Sequence, residues 1–205
     1  PFVLLDTNNG PIIIEDGTTI GALTVIEGSC YIGPDCKIWP RTQLADVSFG
    51  GVNRVMGQLE ETIIQGYSNK QHYGFIGGAY LGSWINLGAG TTNSNLKNNY
   101  GNVRVVVNGE SVDTGNRFVG TFMGDHAKTA IGTMLNTGTR VGLSANVFGS
   151  DRPSKNVPSF AWGLEGQRYD LDKLLENMNT VKGRRDQELT DAERELVKLR
   201  FKEAG

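Results

Sequence analysis

Two imidazoles are present in this chain of 205 residues, His72 and His126. A neutral imidazole with a pKa near ~6.5 can take a proton at physiological pH, so either could serve as a general base. His72 stands in Asn69-Lys70-Gln71-His72-Tyr73-Gly74-Phe75, in polar company. A lone histidine is by default structural, but the setting of His72 between two irregular segments leaves both readings open. His126, in Met123-Gly124-Asp125-His126-Ala127, reads as a surface residue at an ordinary turn. Asn86 and Asn95 bracket a glycine-rich turn, Leu87-Gly88-Ala89-Gly90-Thr91. They are either turn formers or amides facing a ligand. Lys97, Arg104 and Arg117 form one basic group, and Arg41, Arg54 and Lys70 lie earlier in the chain. Each alone is a solvated charge; several converging near His72 would bind phosphate. Cys30 and Cys36 form no CxxC pair, and two histidines cannot build a three-imidazole metal centre. No metal site is expected.

The elements that position these groups follow from a six-residue repeat. Ile14, Ile20, Ile26, Ile32, Ile38 and Leu44 recur at intervals of six, each followed four residues later by Thr18, Thr24, Cys30, Cys36, Thr42 and Ser48. Neither the helical period nor the strand period produces this. A triangular parallel β-helix does: each hexad gives one short strand and one turn, three hexads make a coil, and coils stack at about 4.8 Å. The aliphatic residue points inward and the small residue fits a crowded inner position. Gly, Asn and Asp are expected at corners that need positive φ. The architecture expected is all-β, a left-handed parallel β-helix.

The repeat resumes as Phe75, Leu81 and Leu87, then as Met123, Thr129, Leu135, Val141 and Val147. Residues 50–74 are expected to form a degenerate coil with an outward bulge, and residues 93–122 an inserted excursion. Within the excursion, Val103–Val107, Asn108-Gly109 and Glu110–Val112 read as a hairpin with a type I′ turn. The β-helix is expected over 1–153 and a helical extension over 154–205. Asp170 caps a first predicted helix, and Thr190-Asp191-Ala192-Glu193 is a capping box opening a second. The extension reads as a cap over the open end of the solenoid, or as a clasp between copies.

The balance of 20 Lys+Arg against 22 Asp+Glu argues against a nucleic-acid footprint. No apolar run of about 18 residues is present to span a membrane. With no basic, apolar leader at Pro1–Asp6, a cytoplasmic location is expected.

The run from His72 to Gly82, then Trp84-Ile85-Asn86-Leu87-Gly88-Ala89-Gly90-Thr91 and Asn95, resembles the acetyltransferase domain of the bifunctional glucosamine-1-phosphate acetyltransferase/N-acetylglucosamine-1-phosphate uridyltransferase family. Gly115-Asn116-Arg117 and Gly124–Thr129 are closer to its long-insertion, sugar-1-phosphate nucleotidyltransferase-like variant. The resemblance covers about residues 12–150 as a fold. It implies a left-handed β-helix that forms a homotrimer, with acetyl-CoA as co-substrate and an amino-sugar 1-phosphate as acceptor. It places His72 on the general base, Asn86 and Asn95 on sugar-contacting asparagines, and Phe75 where a tyrosine is usual near the sugar phosphate. Ala89 and the Ala130-Ile131 turn fall on cofactor-contacting positions. Leu96 replaces a tyrosine. Glu60 or Glu61 stands about where a phosphate-binding lysine is usual, so Arg54, Lys70 or Lys97 would have to substitute. The family's nucleotidyltransferase half is absent here, so the chain is expected to be the C-terminal part of a longer enzyme. A second reading is a non-catalytic trimerisation domain of a sugar nucleotidyltransferase, with His72 vestigial.

Overall fold

The computed structural model describes residues 2–204. Short strands stack in parallel into a β-solenoid with three faces. Face A carries Val3–Asp6, Thr24–Glu27, Gln43–Ala45, Gln58–Glu60 and Phe75–Gly77. Thr92–Asn93 and Met134–Leu135 continue it: the Phe75 amide donates to Thr92 Oγ1 and the Gly77 amide to Asn93 Oδ1. Face B stacks eight strands from Ile12–Ile14 to Asn156–Val157, and face C stacks seven from Thr19–Ile20 to Asn146–Val147.

The hexads build the interior as expected over the first coils. Ile26, Ile32, Ile38 and Leu44 are buried, with Thr24, Cys30, Cys36 and Thr42 beside them. Both thiols are core filler. Burial raises their pKa values, which keeps them unreactive. Ile14 and Ile20 are only half-buried in the first coil.

Three local expectations are corrected. Ser48 faces out and Val47 faces in, because the step across the A/B corner shortens from Ile26–Ile32 to Leu44–Phe49. A slip of one residue exchanges inward and outward side chains along a strand. The same shortening at Ile76–Leu81 turns Phe75 outward and Ile76 inward. Residues 50–74 form no outward bulge. Gln58, Ile63 and Asn69 pair in register with Gln43, Ser48 and Arg54, so this coil keeps its strands and loses residues from its corners.

The corners also differ in composition. At the B/C edge, residues with positive φ include Asp35, Val52, Tyr67, Trp84, His126, Ser144 and Phe160. Bulky side chains accept that backbone strain because they stack. Tyr67 and Trp84 are 4.4 Å apart at ring centroids, and His126 lies 5.9 Å beyond Trp84 with its ring nearly parallel. His126 is therefore buried, and not a surface residue.

The excursion carries the hairpin Arg104–Val107 and Glu110–Asp113, with Asn108 and Gly109 both at positive φ as a type I′ turn requires. Beyond residue 153, Asn156–Val157 still pairs with the solenoid and Trp162 bridges to Asn146. Helices α1 (Leu171–Gly183) and α2 (Asp191–Glu203) follow. Asp170 and Thr190 cap them, and the Thr190–Glu193 capping box is complete. Leu174, Leu175, Met178, Leu189 and Val197 form a second core with Phe160, which fastens the helices to the last coil at the B/C edge. Among the described residues, no helix is long and apolar enough to cross a membrane.

Candidate active site

The edge between faces C and A gathers His72, Ala89, Ala130 and Ile131. Each coil crosses it in a short turn, and successive turns are joined by backbone hydrogen bonds. His72 and Tyr73 cross after the strand Asn69–Lys70. Gly88–Thr91 cross one coil above, where the Gly90 amide donates to the Tyr73 carbonyl at 3.1 Å. Ala130–Gly132 cross one coil further, where the Gly132 amide donates to the Ala89 carbonyl at 2.7 Å. His72, Ala89, Ala130 and Ile131 thus line one edge over three successive coils, a span of about 10 Å. His72 is exposed, and Ile131 is 78% exposed.

Phe75 and Asn95 adjoin this edge on face A. Gly77 makes room for both: a Cβ there would strike the Phe75 ring and come within 3.0 Å of Asn95 Nδ2. The Asn95 carbonyl accepts the Val119 amide at 2.8 Å, which ties the end of the excursion to its start. Leu96 bridges to Phe118 in the same closure.

Asn86 lies elsewhere. It faces out from face C between Asn69 and Lys128, with Asn69 Nδ2 3.4 Å from its Oδ1. Asn86 and Asn95 therefore lie on different faces of one chain. Arg54 is on face C as well, donating to the carbonyls of Asp35 and Asn53.

Arg54, Lys70, Lys97 and Arg104 each have other partners and do not converge on His72. Lys70 occupies an inward position of the solenoid and is 2% exposed. Its ammonium donates to the carbonyls of Met56 and His72, and burial lowers its pKa to about 8. Lys70 is thus a core residue that holds the backbone at the His72 turn, and its charge does not reach solvent. Lys97 donates to the Asn102 carbonyl within the excursion. Arg104 is held in the hairpin by Ser111 and by Asp113 at 3.7 Å. Glu60, on face A, accepts from Gln58 Nε2 at 2.7 Å, and its register neighbour Ala45 leads on to Glu27. The part of face A below Phe75 and Asn95 is therefore acidic.

His126 has no role at this edge. Burial, then the charges of Lys128 and Lys182, push its pKa down to about 4. Its ring is a neutral member of the aromatic stack. Among the described residues, no group of three or more His, Cys, Asp or Glu is arranged to hold a metal.

A second concavity was not anticipated. Between face C and the end of α1, Tyr67, Asn69, Trp84, Asn86, Lys128, Val181, Arg184 and Arg185 enclose about 250 Å³. Its signal in the sequence is the basic run Lys182-Gly183-Arg184-Arg185 at the end of α1. That it meets Lys128 depends on how the helices dock.

Comparison with known proteins agrees with the architecture. The family model for the bacterial transferase hexapeptide (six repeats) matches residues 11–46. A bifunctional sugar-1-phosphate nucleotidylyltransferase/acetyltransferase from Sulfurisphaera tokodaii is 30% identical over 145 residues, covering 68% of this chain and 35% of that protein. The bifunctional protein GlmU of Alkalilimnicola ehrlichii is 28% identical over 180 residues, covering 78% of this chain and 34% of that protein. The bifunctional protein GlmU of Buchnera aphidicola is 26% identical over 161 residues, covering 76% and 31%. The chain spans about a third of the length of these curated relatives. A β-solenoid of hexapeptide coils, aligned over 68% of its length with a bifunctional nucleotidylyltransferase/acetyltransferase, makes this chain a homologue of the GlmU-type bifunctional sugar-1-phosphate enzymes.

Proposed function

We propose that this chain is an acetyl-CoA-dependent N-acetyltransferase domain acting on an amino-sugar 1-phosphate, with His72 as general base. The observation that carries this reading is the alignment of His72, Ala89 and Ala130-Ile131 along one edge, beside Phe75 and Asn95. An amino sugar reaches the site as an ammonium, which must lose a proton before its nitrogen can attack. His72 takes that proton, the nitrogen forms a bond to the thioester carbonyl carbon, and the C–S bond breaks, the sulfur leaving as the thiol with the second proton that the nitrogen gives up as it becomes an amide. The amides of Gly88 and Ala130 donate to the carbonyls of Thr129 and Val147, so those of Ala89 and Ile131 would be the donors to the carbonyl oxygen as it gains charge. Asn95 and Phe75 would position the sugar on face A, and Asn86 would contact it from face C of the same or a neighbouring chain.

The proposal extends to assembly. Ile13, Tyr31, Ile63, Tyr80 and Phe122 point outward along face B, all partly exposed. This largely apolar ladder, interrupted by Ser48, supports packing against a second copy, and a homotrimer is the arrangement proposed. Nucleotidyl transfer would reside in a part of a longer enzyme outside this chain. A cytoplasmic enzyme is proposed.

The test is acetyl-CoA turnover with glucosamine-1-phosphate and galactosamine-1-phosphate, read by thiol release. His72→Ala is expected to lower the rate about 10²–10⁴-fold, with an unchanged circular dichroism spectrum. Equal turnover in the variant would refute the role. The second reading, a non-catalytic assembly domain, is favoured by Phe75 lacking a hydroxyl and by Glu60 on face A. It predicts no thiol release with either sugar.

A further inference from the structure

A concentration of positive charge without a facing carboxylate lies away from the His72 edge. The cavity between face C and α1 is lined by Lys128, Arg184 and Arg185 and by the amides of Asn69 and Asn86, with no carboxylate in its wall. Arg54 is the register neighbour of Asn69 on the same face and acts electrostatically on Arg185. Burial pushes the Arg185 guanidinium down from its usual value, and the charges of Arg54 and Arg184 push it the same way. Burial also lowers Lys128. Among the described residues, Arg185 Nε is buried without a hydrogen-bond partner, although Nη2 donates to Asn69 Oδ1 at 2.9 Å. The nearby carboxylate of Glu193 is taken up by Lys182, at 2.5 and 2.7 Å.

Cations at the C-terminal end of α1 complement the helix dipole, which accounts in part for Lys182 and Arg184. It does not account for Lys128 and Arg54, which come from the solenoid. Bringing like charges together at a half-buried site is unfavourable unless an anion joins them. A planar guanidinium beside amide donors suits phosphate oxygens.

We propose that the C-terminal helices and face C together form a binding pocket for the phosphate of a phosphate ester, with Arg184, Arg185 and Lys128 supplying charge and Asn69 and Asn86 supplying amides. The pocket holds one phosphate or diphosphate group and leaves the rest of the ligand in solvent. The extension then has a task besides its packing against Phe160 of the last coil. Glu60 and Glu27 lie on face A, below Phe75 and Asn95, whereas the wall of this cavity holds no carboxylate. The proposal does not depend on acetyl transfer.

The test is calorimetric titration of the protein with inorganic pyrophosphate at two salt concentrations. Saturable binding that weakens as salt rises is expected, and Arg184→Ala combined with Arg185→Ala should weaken it about tenfold or more. Because Arg185 also holds Asn69, Asn86→Asp provides a second variant. It places a carboxylate in the pocket without removing a structural contact of α1, and should weaken binding similarly. His72→Ala and Arg200→Ala should leave binding unchanged. Competition by glucosamine-1-phosphate would identify the ester as a sugar phosphate. Competition by coenzyme A but not by dephospho-coenzyme A would identify it as the coenzyme's 3′-phosphate. Absence of saturable binding, indifference to both pocket variants, or a site that takes pyrophosphate but none of the esters would overturn the proposal.

Discussion

Lys70 and His126 show how burial redirects a side chain that sequence context marks as available. Lys70 sits between Asn69 and Gln71 in a polar run, yet it fills an inward rung and spends its ammonium on two carbonyls. His126 sits at a turn, yet Trp84 and the docked helices close over it. Its depressed pKa is a stability statement. Between about pH 4 and ~6.5 the unfolded chain binds a proton that the folded chain refuses, so stability is full above the unfolded value and falls as pH drops through this window. At 1.36 kcal/mol per pKa unit, the loss is on the order of 3 kcal/mol. His126→Asn keeps a residue tolerant of positive φ and does not titrate. Urea unfolding at pH 7, 5.5 and 4 should therefore show a shallower acid decline in the variant. Parallel declines would mean that His126 titrates normally in the fold.

The elements tolerate irregularity where their corners can absorb it. The step from Leu44 to Phe49 drops a residue from a corner and leaves strand pairing intact. Close backbone approach has no such tolerance. A Cβ at Gly120, where the chain re-enters the solenoid from the excursion, would collide with the Gly77 carbonyl oxygen. In the extension, one carboxylate organises the start of α2. Glu193 accepts from the Thr190 amide at 2.8 Å and from Lys182 of α1, while Thr190 Oγ1 accepts from the Glu193 amide at 3.3 Å. Thr190→Ala removes the side-chain half of the capping box and should cost about 1 kcal/mol. Denaturant unfolding followed by tryptophan fluorescence measures this directly, since Trp84 lies 5.6 Å from Lys182. A midpoint equal to wild type would show that the Lys182–Glu193 pair alone holds the helix start.

At the scale of the molecule, the three faces divide the chemistry. Face A carries Phe75 and Asn95 above an acidic stretch, face C carries amides and cations, and face B is a largely apolar ladder. A solenoid keeps such faces separate because residues at one outward position stack along one face, coil upon coil. If face B meets other copies, Ile63→Glu should convert the assembly to monomers with the solenoid's circular dichroism preserved. Light scattering after size exclusion gives the mass. An unchanged assembly would place the contact on another face.

The hexad periodicity of Ile14–Leu44 was enough to determine the solenoid, since no other regular structure puts an aliphatic residue inward every sixth position. The Asn108-Gly109 hairpin and both helix caps were equally legible, because their chemistry is local. The outward turn of Phe75, the burial of Lys70 and His126, and the separation of Asn86 from Asn95 were decided only by the folded chain. Each depends on where a corner drops a residue or where α1 docks, and a slip of one position reverses inside and outside without leaving a mark in composition. The meeting of Lys128 with Arg184 and Arg185 was hidden for the same reason: residues so far apart in sequence become neighbours only when the helices fold back onto face C.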